Sequence, residues 1–320
     1  VKFYLGTHET SWLARLRVPL FVSHRRLRQR RRLPRAAGEW ALDSGGFTEL
    51  SMHGAWRTSE SEYIEAVCRY EQEIGNLAWA APMDWMCEPH IVQNTGLSVR
   101  EHQERTVANY LTLGEQGPFI PVLQGWRLED YEHCVALYHS AGVALETLPL
   151  VGVGSVCRRQ RTGEIAMIMR TLAAGGLRLH GFGVKKRGLA RYGAALASAD
   201  SMAWSYAARR EDPLEGCTHR SCSNCSRYAL RWREDLLALE NSPQLELPVP
   251  PGRRFGARPE RAELPVELPP SREERSARKD KDQLELPILA TTRQAVERPN
   301  PPAHITKAGP RPTAPARHAA

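Results

Sequence analysis

The sequence predicts an α/β protein of the (β/α)8 TIM-barrel class, and three observations carry that prediction. Eight short apolar, β-prone runs occur in the first 240 residues, segments of helical period fill most of the gaps, and polar residues gather where the runs end. Strands alternating with helices form a parallel sheet, and in a barrel the βα loops converge around one mouth at the C-terminal ends of the strands. A doubly wound open sheet is the alternative architecture for the same alternation.

The runs can be followed in order. KFYLG (2–6) leads to Thr7 and His8, and PLFVS (19–23) ends on Ser23 and His24. EWALDSG (39–45) carries Asp43, Ser44 and Gly45, with Gly46 next, before a helical segment at 60–75. LAWAAPMD (77–84) ends on Asp84 and is followed by a helical segment at 98–116. FIPVLQG (119–125) brings Gln124 and is followed by a helix at 128–142; LVGVGSV (150–156) brings Gly154 and Ser155 and is followed by a helix at 163–176. LRLHGFGV (177–184) brings Gly183, and ALASAD (195–200) ends on Asp200.

Three of these runs end on a carboxylate, which is expensive in an apolar strand unless it is paired, solvated or functional. Each aspartate has an ordinary alternative as the N-cap of the next helix. Asp43 fits that alternative less well, because paired glycines directly after it suit a sharp turn or a close ligand. Basic residues follow three of the same ends: seven arginines in 25–35, including Arg25 and Arg26, then Arg158 and Arg159, then Lys185 and Lys186. One such cluster is a solvated face; three at one rim favour phosphate binding. The formal charge of +8 suits the same polyanionic partner.

Cys217, Cys222 and Cys225 stand in a Cys-x4-Cys-x2-Cys spacing with His219 inside the first interval. Four such ligands suit a structural Zn2+, with an iron–sulfur cluster as the competing occupant. The composition then changes near residue 241: 15 of the 23 prolines lie in 241–320. That stretch reads as a disordered Pro/charged tail in which QLELP-like elements recur at 244–250, 263–270 and 283–289. The division expected is a barrel at 1–212, a zinc-binding segment with a closing helix at 213–240, and the tail. No apolar run reaches the roughly 20 residues of a membrane span and no export signal is recognisable, so a cytoplasmic protein with no membrane partner is expected.

The series DSGGF, APMDW, PVLQGW, VGVGSV, HGFGV and ASADS, followed by the cysteine segment, resembles the tRNA-guanine transglycosylase superfamily over residues 1–240. It is most similar to the shorter DpdA-type branch that puts 7-deazaguanine bases into DNA. The resemblance implies Asp200 as nucleophile and Asp43 in proton transfer near the base. It also implies Asp84, Gln124 and Gly154 in base recognition, with Ser44, Gly45, Gly46 and Gly183 lining the substrate site. It implies zinc as the cofactor, held by the three cysteines and a histidine. The expected partners are DNA, with tRNA as alternative, a free 7-deazaguanine base, and helper proteins such as an ATPase. Thr48, in place of the Gln usual in the tRNA enzymes, and SMAWS after Asp200 depart from the tRNA pattern. A non-catalytic zinc-containing nucleic-acid-binding protein, and a barrel hydrolase that releases guanine with no acceptor base, are the remaining alternatives.

Overall fold

The computed structural model describes residues 1–157, 159 and 162–238. Arg158 and the tail at 241–320 lie outside the described residues, as do the QLELP-like elements. Eight parallel strands form one sheet: β1 (Lys2–Thr7), β2 (Leu20–Ser23), β3 (Trp40–Asp43), β4 (Leu77–Ala80), β5 (Val122–Leu123), β6 (Val151–Val153), β7 (Leu179–Gly181) and β8 (Ser198–Ser201). Their order is β4-β3-β2-β1-β8-β7-β6-β5, so the first and last strands in sequence are neighbours, paired Tyr4 to Asp200. Such an order curls the sheet upon itself. Ala80 at the end of β4 makes an isolated parallel bridge to Phe119, in the segment that precedes β5, and donates its N–H to the Pro118 carbonyl at 2.8 Å.

The period-2 pattern of the strands explains the layers. Phe3 and Leu5, Leu20 and Val22, Trp40 and Leu42, Val151 and Val153 face outward into two apolar clusters shared with the helices. Tyr4, Phe21, Ala41, Trp79 and Ile120 face the other way and pack together inside the curl. The helices that matter for the mouth are α1 (His24–Leu27), α2 (Gly46–His53), α3 (Glu60–Glu73), α4 (Pro89–Thr95), α5 (Val99–Gly114), α6 (Leu128–Ser140), α7 (Gly163–Ala174) and α8 (Lys186–Tyr192). Capping boxes start α3 (Ser59 with Glu62) and α5 (Ser98 with Glu101), each satisfying two orphan N–H groups.

Several strands are shorter than the apolar runs suggest. The run at 77–84 leaves the sheet at Ala80, two residues before Pro82, which has no N–H to give a ladder. Asp84 therefore stands in the following loop, its N–H turned back onto the Pro82 carbonyl at 2.9 Å. Beyond β8 come α9 (Ala203–Ala207) and α10 (Ser226–Ala238), with the cysteine segment between them. Trp204 of α9 stacks on Trp12 with ring centroids 5.4 Å apart and donates its indole N–H to the Gly6 carbonyl at 2.8 Å.

Candidate active site

Asp43 ends β3 and Asp200 stands third in β8, in register with inward-facing Tyr4. Gln124 follows β5 directly, and Asp84 reaches it from the β4 loop. Gln124 is fully buried and donates from Nε2 to Asp84 Oδ2 at 2.5 Å. The Ser44 hydroxyl approaches the other Asp84 oxygen at 3.5 Å, a marginal bond. Burial raises the Asp84 carboxyl to about 7, with the Gln124 bond opposing and the charge of Asp43 adding to the rise. Burial also raises Asp43; the Ser23 hydroxyl and the Gly45 N–H oppose it, and the Asp200 charge adds to it.

The glycines do distinct work. Gly45 turns the chain with φ 81°, and its N–H donates to Asp43 Oδ1 at 3.2 Å. Gly46 leaves room for Trp56 and Met86, whose atoms would lie 2.7 and 2.9 Å from an added Cβ. Here protein side chains take the space beside DSGG. At Gly154 an added Cβ would meet Gln124 Nε2 at 2.2 Å, so glycine is what lets the carboxamide lie flat against β6. Gly183, at φ 63°, donates its N–H to Asp200 Oδ1 at 2.9 Å.

Two residues in the site, His180 and Glu88, escaped the sequence reading. His180 on β7 is fully buried among Trp79, Phe182, Phe21 and Tyr4, with ring centroids 4.5 to 6.1 Å away. Its Nδ1 lies 2.8 Å from Ser198 Oγ and its Nε2 3.4 Å from Asp200 Oδ1. Burial lowers its pKa and the nearby Asp200 opposes that, the first effect being larger. Ser155 and Glu88 continue the polar contacts behind Gln124, at 2.7 and 2.9 Å. The histidine was hidden inside an apolar strand, and Glu88 sits beyond any strand end, so neither carried a positional signal.

The basic residues divide. Arg25, Arg26, Lys185 and Lys186 are exposed beyond β2 and β7, and Arg25 also donates to the Thr48 hydroxyl at 2.8 Å. Arg159 is turned inward, only 9% exposed, bonded to the Trp126 carbonyl and to Glu164 and stacked 3.9 Å from the Trp126 ring. Its guanidinium is committed to the loop after β5, because a desolvated arginine on an indole face gains more there than in water.

Cys217, His219, Cys222 and Cys225 present ligand atoms that all lie within 4.8 Å of one another. A tetrahedral zinc with thiolates at about 2.3 Å would hold such atoms roughly 3.7 Å apart, so modest side-chain adjustment suffices. The Cys-x2-Cys turn closes with Cys225 N–H on the Cys222 carbonyl at 3.0 Å, and His219 Nε2 lies 3.1 Å from Cys222 Sγ. This group could hold a metal ion. It is joined to α9 by Ser205 Oγ on the Ser223 carbonyl and by Ser221 Oγ on the Ala208 carbonyl, at 2.8 and 3.1 Å.

Fold and site together define an α/β protein whose curled parallel sheet gathers buried carboxylates at its strand ends and whose segment after β8 carries a Cys/His metal-type cluster. A family model described as DpdA, DeoxyPurine in DNA protein A, matches residues 1–249, and the chain belongs to that family. Membership carries a DNA-modification role related to tRNA-guanine transglycosylases and an enzyme of transglycosylase type. No curated protein matches the chain.

Proposed function

We propose that this chain is a DNA-guanine transglycosylase on a closed (β/α)8 barrel at 1–212, with a zinc-binding segment at 213–240. It exchanges guanine in DNA for a 7-deazaguanine base, 7-cyano-7-deazaguanine being the incoming base tested first. The observation that carries the reading is the convergence of Asp43, Asp84, Gln124 and Asp200 on one mouth of a family member.

In this reading an extruded guanosine meets Asp84 and Gln124 through its base edge, with Gly154 and the Ser44, Gly45, Gly46 turn bounding the pocket. Asp200, held by the Gly183 N–H, attacks C1′. The bond from C1′ to N9 breaks, its electron pair leaves with guanine, and a glycosyl ester forms. Asp43, whose carboxyl is raised, supplies the proton to N9 of the departing base. It then takes the N9 proton from the incoming base, which attacks C1′ from the other face, frees Asp200 and restores the configuration. One glycosidic bond replaces another, so the exchange itself is balanced without an oxidant or a nucleotide. Arg25, Arg26, Lys185 and Lys186 would hold phosphates at the rim. Zinc on Cys217, His219, Cys222 and Cys225 would fasten α9 and thereby β8, a structural role.

The purified chain, DNA and 7-cyano-7-deazaguanine are incubated, the DNA is digested, and the modified deoxynucleoside is sought by mass spectrometry beside Asp200→Asn. Product in the unsubstituted chain that is absent from the variant is expected. Incorporation into tRNA alone would move the chain to the RNA branch, and DNA binding that survives in Asp200→Asn with no product from either would favour a binding protein.

A further inference from the structure

Behind the mouth four side chains form one continuous polar line. Gln124 Nε2 lies 2.5 Å from Asp84 Oδ2, Gln124 Oε1 2.7 Å from Ser155 Oγ, and Ser155 Oγ 2.9 Å from Glu88 Oε2. All four residues are buried, Glu88 to 5% exposure. Glu88 stands at the N-cap of α4 but its side chain makes no capping bond, so its carboxyl is not spent on the helix. Ser155 is held at φ 56° and accepts the Cys87 N–H at 2.8 Å, which fixes its hydroxyl between Gln124 and Glu88.

Three links need three protons. A carboxamide can donate toward one neighbour while its oxygen accepts from the other, and a serine hydroxyl has one proton to give. The third must come from a carboxyl at one end of the line. With that proton at the Glu88 end, Gln124 turns Nε2 toward Asp84, the orientation found, and Asp84 meets the mouth as an ionised acceptor. With it at the Asp84 end the carboxamide turns over, Oδ2–H is spent on Gln124, and only a neutral carbonyl faces the mouth. Hydrogen bonds to an ionised acceptor are roughly twice as strong as those to a neutral one. The two N–H donors on the edge of a guanine-type base, N1–H and the 2-amino group, therefore distinguish the two arrangements.

We propose that Glu88 is a positioning residue of the purine pocket, which through Ser155 holds the Gln124 carboxamide with Nε2 toward Asp84. The assignment rests on taking Asp84 and Gln124 as base-binding residues. Glu88 itself touches no base.

Calorimetric binding of free guanine and of 7-cyano-7-deazaguanine to the full chain tests it, with Glu88→Ala, Ser155→Gly and Glu88→Gln alongside and melting temperatures recorded for each. Glutamine at 88 donates to Ser155 as a protonated carboxyl would, and glycine at 155 removes the hydroxyl while easing the left-handed backbone. Glu88→Ala and Ser155→Gly are expected to weaken base binding about tenfold, with Glu88→Gln recovering to within about twofold. If Glu88→Ala does not fold, the Ser155→Gly and Glu88→Gln pair carries the comparison. Binding per folded molecule that is unchanged in Ser155→Gly, or equally weakened in Glu88→Gln, overturns the assignment. An unsubstituted chain that binds neither base, or an Asp84→Asn chain that binds both as well, defeats the base-pocket reading and this assignment with it.

Discussion

Asp84 has its carboxyl raised from 3.8 to about 7 by burial, and the sign of its effect on stability follows. The folded chain binds that proton more tightly than the unfolded one. Ionisation therefore costs stability progressively as pH rises from about 4 to about 7, and the cost is constant above. Asp43 acts in the same direction. Asp84→Asn is expected to raise the melting temperature at pH 8 and to change it far less at pH 4, while base exchange is lost; equal shifts at both pH values would contradict this. Gly154→Ala acts on the site alone. The new Cβ would displace the Gln124 carboxamide, the end of a side chain, so a fall of about a hundredfold in exchange is expected with a melting temperature within a few degrees of the unsubstituted chain. Asp43, Asp84, Gln124 and Asp200 could be read from the sequence because each interrupts or ends an apolar run. His180 and Glu88 could not, since their meaning lies in what packs against them.

At the scale of elements, α5 organises both the β4 loop and the end of β5. Gln103 Nε2 donates to the Gln124 carbonyl at 2.7 Å, the Trp85 N–H donates to Thr106 Oγ1 at 2.8 Å, and His102 Nδ1 lies 2.6 Å from the Met86 carbonyl. The Ser98 and Glu101 capping box opens this helix one turn away. Ser98→Ala is expected to cost about 1 kcal/mol in denaturant unfolding. It should also raise KM for the free base more than it lowers kcat, because fraying would loosen the Asp84 and Gln124 pair. A loss of stability with kinetics untouched would show that α5 holds the loops without help from its first turn. The helical segments expected at 60–75, 98–116, 128–142 and 163–176 correspond to α3, α5, α6 and α7 with ends within two residues. The strand run at 77–84 was longer than β4, since local apolarity does not reveal where a proline breaks the ladder.

For the molecule as a whole, the Cys/His cluster and the exposed rim charges each carry a prediction. Cys222 is buried in the same apolar cluster as Trp12 and Trp204, so the cluster joins the cysteine segment to the helix after β8. Strong chelation, or Cys222→Ser, is expected to lower the melting temperature and to release about one zinc per chain, because metal bound only by the folded state stabilises it. Zinc content near zero in active protein would sink the assignment. Removing Lys185 and Lys186 together should reduce the salt dependence of DNA binding by about one to two in log–log slope. Arg159→Ala should instead lower stability with the slope unchanged, as its guanidinium is committed to Trp126 and Glu164.

The sequence by itself determined the alternation of strands and helices, the carboxylates and glutamine at or just beyond the strand ends, and the metal-type cysteine cluster. These follow from periodicity and spacing, which are local along the chain. Only the tertiary structure decided that β1 pairs with β8, that Arg159 faces inward while Lys185 and Lys186 stay exposed, and that Gln124 needs the missing side chain of Gly154. It also decided that His180 lies against Asp200 and that Glu88 reaches Gln124 through Ser155. Such contacts join residues far apart in sequence, and burial and hydrogen-bond geometry exist only once the sheet has curled and brought them together.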